Sequence, residues 1–412
     1  MASLDMDSFA NALKEHYHGL HIKDLVYKKN PLLALMPKYE RFGGKYMPVP
    51  LKYGNPQGRA SDFTTAQGNV GNTKLEAFRI EHVRDYSIAR IDALTMDASS
   101  GDADAFVRAA TLEVDSAIGA LSQAMALDIF RDGSGVRGQC KDTAAAAEFE
   151  LKNTADIVNF EVGMKLVFAE TQVVGTATVP HTLRDSGTAV TITAVNRDTG
   201  KITTSPAPHS SVDTNDFIIQ EGDYESSGDR LKMDGLDAWV PSTPPTSTLF
   251  NNVARNSDTS RLGGIRHDGS ESTVRENLLD AAARVAREGG SPDYCFLNFA
   301  NYAALEMELA TNTRYDVSKS QDGNFGFTGL TIQGPSGAIA VIPDKNCQSD
   351  VAWLLQMDTW ALNSAGAAPK ILDHDGNRLL RVNDKDEVEI RIGFYGNVSC
   401  SAPGWNCRIA LS

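Results

Sequence analysis

The chain has 412 residues and a formal net charge of −14, from 39 basic and 53 acidic side chains. This acidic balance argues against a sequence-specific nucleic-acid binder, whose phosphate contacts need clustered lysine and arginine, and against binding to an anionic membrane. No apolar run is long enough to span a bilayer, and the first residues lack the apolar stretch of a secretory signal. With 42% hydrophobic residues, the composition predicts two or three packed units rather than a disordered chain.

The first 41 residues are predicted to form an N-terminal arm. Apolar side chains recur at every fourth position from Phe9 to Tyr17 and indicate a short amphipathic helix. Pro31 and Pro37 prevent that helix from continuing, because proline removes a backbone donor and clashes with the preceding turn.

Residues 42–84 are rich in glycine and proline and are predicted to form an extended two-stranded loop. Strand-like runs over residues 45–49 and 75–83 flank its central part. A long loop without its own core is usually functional, and an isolated ribbon is marginally stable in water. We therefore expect the loop to lie on another surface, such as a second subunit.

The next segment, residues 85–150, contains the clearest helical pattern in the chain. Apolar residues at spacings of three and four predict a long helix over 102–131, which Asp132-Gly133 would end. The face is formed by Val107, Ala110, Val114, Ile118, Leu121, Met125 and Ile129.

Residues 151–228 are predicted to be an inserted all-β module, either a small sandwich or a barrel. Short strands over 162–168, 190–195, 201–204 and 216–220 alternate with glycine- and aspartate-containing turns. Residues 229–270, rich in proline, serine, threonine and glycine, are interpreted as a connecting segment.

Residues 271–370 have a mixed α/β pattern. Thr273 and Glu276 form a capping-box signature for one helix, and Asn298 would cap a second helix that ends near Leu309. Buried strands are predicted over 294–297, 339–342 and 351–355. The last segment, 371–412, begins a final β region with the alternating run 388–392.

The motifs that resemble catalytic or cofactor-binding sites each lack a feature that such a site requires. The G-x-G-x-x-G run from Gly133 to Gly138 follows a helix, whereas a dinucleotide site needs a strand before it. The run beginning at Asp373 resembles a calcium loop but has its glycine at the fourth position and Asp384 at the twelfth. Scattered cysteines and the isolated histidines, apart from the group at 16, 18 and 21, indicate no metal site. We predict that the protein is not an enzyme and that it binds no cofactor and no metal. The cysteines are predicted to be reduced and to be buried as small apolar residues.

Charge is unevenly distributed along the chain. Residues 28–59 contain seven basic and one acidic side chain, whereas residues 92–115 contain six acidic and one basic. These stretches could pair between subunits, where complementary charge steers association and fixes register; alternatively, they are two unrelated solvated faces. The candidate inter-subunit contacts are Lys45, Lys52, Tyr53, Arg59, Asp97, Asp102 and Asp104.

The order of these parts resembles the tailed-bacteriophage major capsid proteins with the Hong Kong 97-type fold. Four local runs also look alike: the glycine-rich turn at 132–138, the helix and strand over 273–297, Ile342-Pro-Asp344, and Glu389-Ile-Arg391. The resemblance covers most of the chain except 156–225, and it implies an α+β capsid fold with an added small all-β domain.

That resemblance implies a domain order: an N-terminal arm, an extended loop, a peripheral domain with a spine helix, the inserted domain, a connecting segment, an axial domain and C-terminal strands of the peripheral domain. It implies a non-catalytic shell subunit that forms pentamers and hexamers around the genome of a virion, assembled in the host bacterial cytoplasm. A portal protein and a decoration protein are implied partners. A separate scaffolding protein is expected because no long coiled-coil segment precedes the arm.

Some members of this family join subunits by a Lys–Asn isopeptide bond assisted by a glutamate. The positions that correspond to the asparagine and the glutamate are Asp386 and Gly393 in this sequence. This departure predicts that no crosslink forms by that route.

Two alternative functions remain open from sequence. An encapsulin-like shell has the same fold but encloses enzymes, while the inserted module and the long loop favour a virus. A soluble hydrolase would need a nucleophile, a base and an orienting group, and no such set can be identified in the sequence.

Overall fold

The computed structural model describes residues 30–93, 103–142, 147–171, 181–224, 231–312, 330–373 and 380–411. The predicted N-terminal helix, the histidines at 16, 18 and 21 and most of the calcium-like run lie outside these residues. Within the described residues the chain builds two six-stranded sheets, a six-stranded β module, a two-stranded hairpin and a small two-stranded ribbon.

The first sheet is organised around one long strand, β21 (Glu387–Cys400). Its first part pairs antiparallel with β4 (Val83–Asp92), and its second part pairs antiparallel with β18 (Trp360–Ser364). The sheet is completed by three two-residue strands: β1 (Lys38–Tyr39), β19 (Lys370–Ile371) and β20 (Leu380–Arg381). The long helix α3 (Ala103–Asp128) contacts β4 and β21, while the short helix α1 (Pro31–Leu35) precedes β1.

Helix α3 confirms the predicted apolar face wherever its side chains are described. Leu121, Met125 and Ile129 are buried, and Val114 and Ile118 pack against the same core. The helix ends at Asp128, slightly before the predicted end. The turn that follows contains Gly133 and Gly135, both with positive φ.

The second sheet carries two helices, α5 (Val274–Arg287) and α6 (Phe299–Asn312). The predicted capping box is confirmed, since Thr273 and Glu276 exchange side-chain-to-backbone hydrogen bonds. Asn298 also caps α6, accepting a hydrogen bond from the Ala300 amide at 3.1 Å. The strands, in spatial order, are β13 (Ile265–Asp268), β22 (Cys407–Ala410), β17 (Val351–Leu355), β14 (Tyr294–Leu297), β16 (Gly337–Pro343) and β15 (Leu330–Gly334).

Three strands lie in different sheets from the ones that the domain boundaries predicted. Strand β18 was placed with residues 271–370 but pairs in the first sheet. Strand β22 was placed with the first sheet, and β13 with the connecting segment, yet they pair with each other in the second. Local alternation indicates that a segment is a strand, but pairing depends on long-range packing that local pattern does not encode.

The β module is a small closed barrel with its own core. Its strand order is β5-β10-β7-β8-β9-β6, and a bridge between Cys140 and Leu151 joins the first strand to the last. The strands are β5 (Val136–Gln139), β6 (Glu148–Glu150), β7 (Lys165–Ala169), β8 (Val190–Asn196), β9 (Lys201–Ser205) and β10 (Phe217–Gln220). Closure removes exposed strand edges. The module starts at Val136, earlier than the predicted 151, because β5 and β6 are too short to show alternation.

The segment interpreted as a connection is instead part of the main core. Trp239, in the short helix α4 (Leu236–Trp239), is fully buried and packs edge-on against three aromatic rings. Ring centroids lie 5.0 Å away for Phe78, 5.1 Å for Phe250 and 6.3 Å for Trp360. Phe250 belongs to the small ribbon β11 (Leu249–Phe250) and β12 (Val253–Ala254). The apolar residues here have no regular spacing, so only tertiary packing reveals their burial.

Candidate subunit interface

The predicted extended loop is confirmed as an antiparallel hairpin. Strands β2 (Tyr46–Gly54) and β3 (Lys74–Glu81) pair along their length, and the short helix α2 (Phe63–Gly68) lies between them. Alternation gives the hairpin two faces. The inner face buries Phe78 and Ile80 in the main core, so the hairpin is anchored to its own chain.

The outer face of the hairpin is exposed and carries a run of apolar residues. We call this run the outer strip. It consists of Tyr46, Pro48, Pro50, Leu75 and Ala77, and the charged residues of the same face are Lys52, Arg79 and Glu81. Leu75 is 64% exposed and Tyr46 is 43% exposed, with Arg79 lying over the Tyr46 ring at 5.3 Å. Contiguous exposed apolar surface with a polar border is typical of a protein–protein interaction site.

The tip of the hairpin is ordered by a helix cap and displays two further apolar side chains. Asp62 accepts a hydrogen bond from the Thr65 amide at 2.8 Å, and that bond lowers the pKa of the Asp62 carboxyl. Phe63 is 76% exposed and Val70 is 73% exposed. A capped but uncovered tip is suited to contact a surface outside the chain.

A groove of about 550 Å³ separates the end of β2 from the body. Lys52 and Tyr53 line one side, and Arg261, Glu288 and Trp405 line the other. Arg261 Nη1 donates to the Tyr53 carbonyl oxygen at 2.8 Å and so ties the two sides together.

The structure shows how far the residues predicted to contact a neighbour are exposed. Lys45, Lys52 and Arg59 are exposed on the hairpin, whereas Tyr53 is half-buried at the groove. Asp97 and Asp102 lie outside the described residues. Asp104 lies in α3, and its side chain is outside the described part of that helix. The structure therefore does not test the predicted pairing of the two charged stretches.

The outer face of the first sheet is a second exposed surface, which sequence reasoning missed. Tyr86 is 50% exposed, Ile88 is 43% exposed, and the Tyr86 ring lies 5.8 Å from that of Tyr395. Apolar side chains of β4 lie on both of its faces, so no alternation in the sequence marks this surface.

An ion-paired glutamate lies further along the same two strands. Glu389 is buried between two arginines, Arg391 on its own strand and Arg90 on β4 at 2.8 Å. Hydrogen bonds from Arg391 and Arg90 hold the pKa of Glu389 below its usual value. The carboxylate therefore stays charged at neutral pH and pairs with both guanidinium groups.

The two positions that correspond to the isopeptide chemistry lie near this face. Asp386 is exposed and 3.6 Å from Arg381. Gly393 pairs with Tyr86, and a Cβ there would lie 3.0 Å from Leu372 Cδ1. Position 386 thus has no side-chain amide, and position 393 has no side-chain carboxylate.

The prediction for the cysteines is confirmed, since all five are unpaired and buried. Burial raises the pKa of the Cys140 and Cys400 thiols to about 12. In the described ranges, no group of three or more metal-ligating side chains is found. Across those same ranges, no helix is long and apolar enough to cross a membrane.

Comparison with known proteins gives one family match. Residues 211–371 match the family model of the SU10 major capsid protein. None of the curated protein sequences matches the chain.

Several solved phage structures are similar in backbone. One is the cyanophage A-1(L) capsid asymmetric unit, with a TM-score of 0.49 and 11% identity over 93% of this chain and 94% of that chain. Mycobacterium phage Ogopogo gives a TM-score of 0.45 and 12% identity, with both chains fully covered. The capsid of cyanophage P-SCSP1u gives a TM-score of 0.45 and 8% identity over 98% of this chain and 94% of that chain.

Residues 211–371 are thus similar to a phage major capsid protein, and they lie within a mixed α+β architecture. This similarity supports the predicted capsid protein with the Hong Kong 97-type fold. The encapsulin and hydrolase alternatives are not favoured.

Proposed function

We propose that this protein is the major capsid protein of a tailed bacteriophage, which forms the shell of the virion, and that the hairpin is the arm by which one subunit contacts its neighbour. The observation that carries this proposal is the outer strip, an apolar run on a ribbon face that is exposed and anchored only on its opposite side. A two-stranded ribbon gains stability when both faces are covered. A second copy of the chain would cover the outer strip and the exposed tip in an assembled shell.

Charge would orient that contact. The hairpin presents Lys45, Lys52 and Arg59 to solvent, and the start of α3 is acidic in sequence. Pairing between the hairpin and this helix start of the neighbouring copy would steer association and set its register. Apolar contact by the outer strip would then supply most of the affinity.

Reversing two hairpin charges, Lys52→Glu with Arg59→Glu, is expected to slow shell assembly while leaving the subunit folded. Both side chains are exposed, so their replacement removes the complementary field without disturbing the core. Light scattering should show at least a tenfold slower assembly rate at low salt, with a smaller difference at high salt, as expected for screened charges.

The matched control is Lys152→Glu with Lys165→Glu, which makes the same charge change on exposed barrel residues. Unfolding by urea should give the same midpoint for the hairpin variant and the parent. If the hairpin variant assembles at the same rate as the parent and with the same salt dependence, the electrostatic part of the proposal is wrong.

We further infer how the units are arranged in the shell. The second sheet with α5 and α6 would serve as the axial domain around five-fold and six-fold axes. The first sheet with α3 would be the peripheral domain, and the barrel would stand on the outside and brace the capsomers. We propose a separate scaffolding protein and a portal protein as partners and a decoration protein as an optional one, with assembly in the host bacterial cytoplasm.

Shells of this protein are expected to contain no covalent links between subunits by the Lys–Asn route. Asp386 lacks the amide, and Gly393 lacks the carboxylate that would assist its reaction. Boiled, denatured particles should therefore run as a single monomer band on a gel. A ladder of multimers that persists under reducing conditions would contradict this expectation.

A further inference from the structure

Two chain connections join the barrel to the rest of the subunit and run side by side. The chain enters the barrel through Gly133 and Gly135, at φ of +82° and +79°, and leaves after β10 through Asp223. A Cβ on Gly135 would lie 2.3 Å from the Asp223 carbonyl oxygen, so the two backbones are in direct contact. A group that holds Asp223 therefore holds both connections.

A buried lysine lies at this crossing. The Lys232 Nζ atom is 2.8 Å from Asp85 Oδ2, 3.1 Å from Asp223 Oδ1 and 3.6 Å from Asp128 Oδ2. Its side chain is only 5% exposed. Asp85 belongs to β4 and Asp128 ends α3, both in the body, whereas Asp223 belongs to the barrel connection. Lys232 thus bridges the body and the barrel.

Counted over the described residues, the charges at this crossing do not balance at neutral pH. Three carboxylates face Lys232 and Arg137, whose Nη2 lies 3.7 Å from Asp223 Oδ2. Burial raises the pKa of Asp128 to about 6, opposed by Lys232 and Arg137 and reinforced by Asp85 and Asp223. Burial also disfavours the Lys232 ammonium, yet the fields of Asp128, Asp223 and Asp85 raise its pKa, so it remains charged.

Neutralising Asp128 would change how strongly Lys232 attracts the other carboxylates at the crossing. With three ionised carboxylates, Asp128 repels Asp223 and competes with it for Lys232. Once Asp128 is protonated, Lys232 faces only Asp85 and Asp223, and the excess negative charge disappears. A buried charge pair is strongest when no third like charge competes for it.

We propose that Lys232, Asp85, Asp128 and Asp223 form a latch that holds the barrel to the body more firmly at pH 5 than at pH 8. The barrel core and the main core are separate apolar clusters, so polar contacts carry much of the joint. Two other contacts cross it: Arg131 with Asp156 at 3.0 Å, and Asn153 with Ser349 at 2.7 Å. They keep the barrel positioned when the latch loosens.

Hydrogen exchange of the full-length, unassembled chain tests the latch. Backbone amides of residues 131–136 and 220–224 should be about tenfold more protected at pH 5 than at pH 8, after correction for intrinsic exchange rates. Asp128→Asn is neutral at both pH values and should show the acid level of protection at both. Equal protection of the parent at the two pH values, or an unchanged ratio in Asp128→Asn, would overturn the proposal.

A second variant keeps the test decisive if Asp128→Asn does not fold. Asp223→Asn removes the carboxylate on the barrel side and should lower protection at pH 5 to the level seen at pH 8. The matched control is Glu221→Gln, two residues away, which breaks only an exposed pair with Lys165 at 3.2 Å. The control should retain the tenfold ratio. If Glu221→Gln also lost the tenfold difference in protection between pH 5 and pH 8, the pH effect would come from net charge and the latch would be contradicted.

Discussion

Replacing Trp239 by alanine is expected to cost about 3–5 kcal/mol of unfolding free energy, the range for deleting a fully buried large aromatic side chain. The indole packs against Phe78 on the hairpin, Phe250 on the small ribbon and Trp360 on the first sheet. Its removal would leave a cavity where three elements meet, and these elements cannot collapse together without shifting the hairpin. Urea denaturation followed by circular dichroism measures the loss.

The control is Trp405→Ala, because Trp405 is 39% exposed at the groove. We expect that variant to lose about 2 kcal/mol, less than Trp239→Ala, since a smaller apolar area is removed from contact with the protein. Similar losses for the two tryptophans would show that Trp239 does not join the hairpin to the body as the structure indicates. Assembly should also fail in Trp239→Ala at temperatures where the isolated subunit is still folded.

Replacing Lys232 by methionine is expected to lower the free energy of unfolding at pH 8 by about 3–5 kcal/mol. This is the range for removing one partner of a buried charge cluster. The substitution leaves Asp85, Asp128 and Asp223 close together, with Arg137 as the remaining counter-charge among the described residues. Methionine has a similar length and flexibility, so the loss reports the charge rather than the volume.

The pH dependence of that loss has a defined sign. Because the pKa of Asp128 is raised to about 6 from an ordinary value of 3.8, its contribution to stability is present at acid pH and lost as the pH rises through 6. Lys232 opposes this rise, so its removal raises the pKa of Asp128 further, and the variant gains more stability on acidification than the parent does. The Lys232→Met variant should therefore be closer to the parent at pH 5 than at pH 8. An equal loss at both values would contradict the assigned charges. Lys201→Met, which removes an exposed cation on the barrel, should leave the unfolding midpoint unchanged.

Local pattern in the sequence determined many of the elements of this protein. Apolar spacing predicted α3, and a capping box with its apolar face predicted α5, because a helix needs one buried stripe and satisfied terminal amides. Glycine and proline bordering two strand-like runs predicted the hairpin, and its basic residues are exposed. These properties depend on residues within about two turns of each other, so they can be deduced without knowing the fold.

The tertiary structure alone decided which strands share a sheet, where the main core lies and how the barrel is held. Strands β18 and β22 exchanged sheets relative to the prediction, and Trp239 in an apparent connection proved central to the core. The outer strip became visible only once pairing fixed which residues of β2 and β3 share a face. Lys232 meets Asp85, 147 residues away in the chain. Contacts of this kind are set by the packing of distant segments, and no periodicity in the sequence records them.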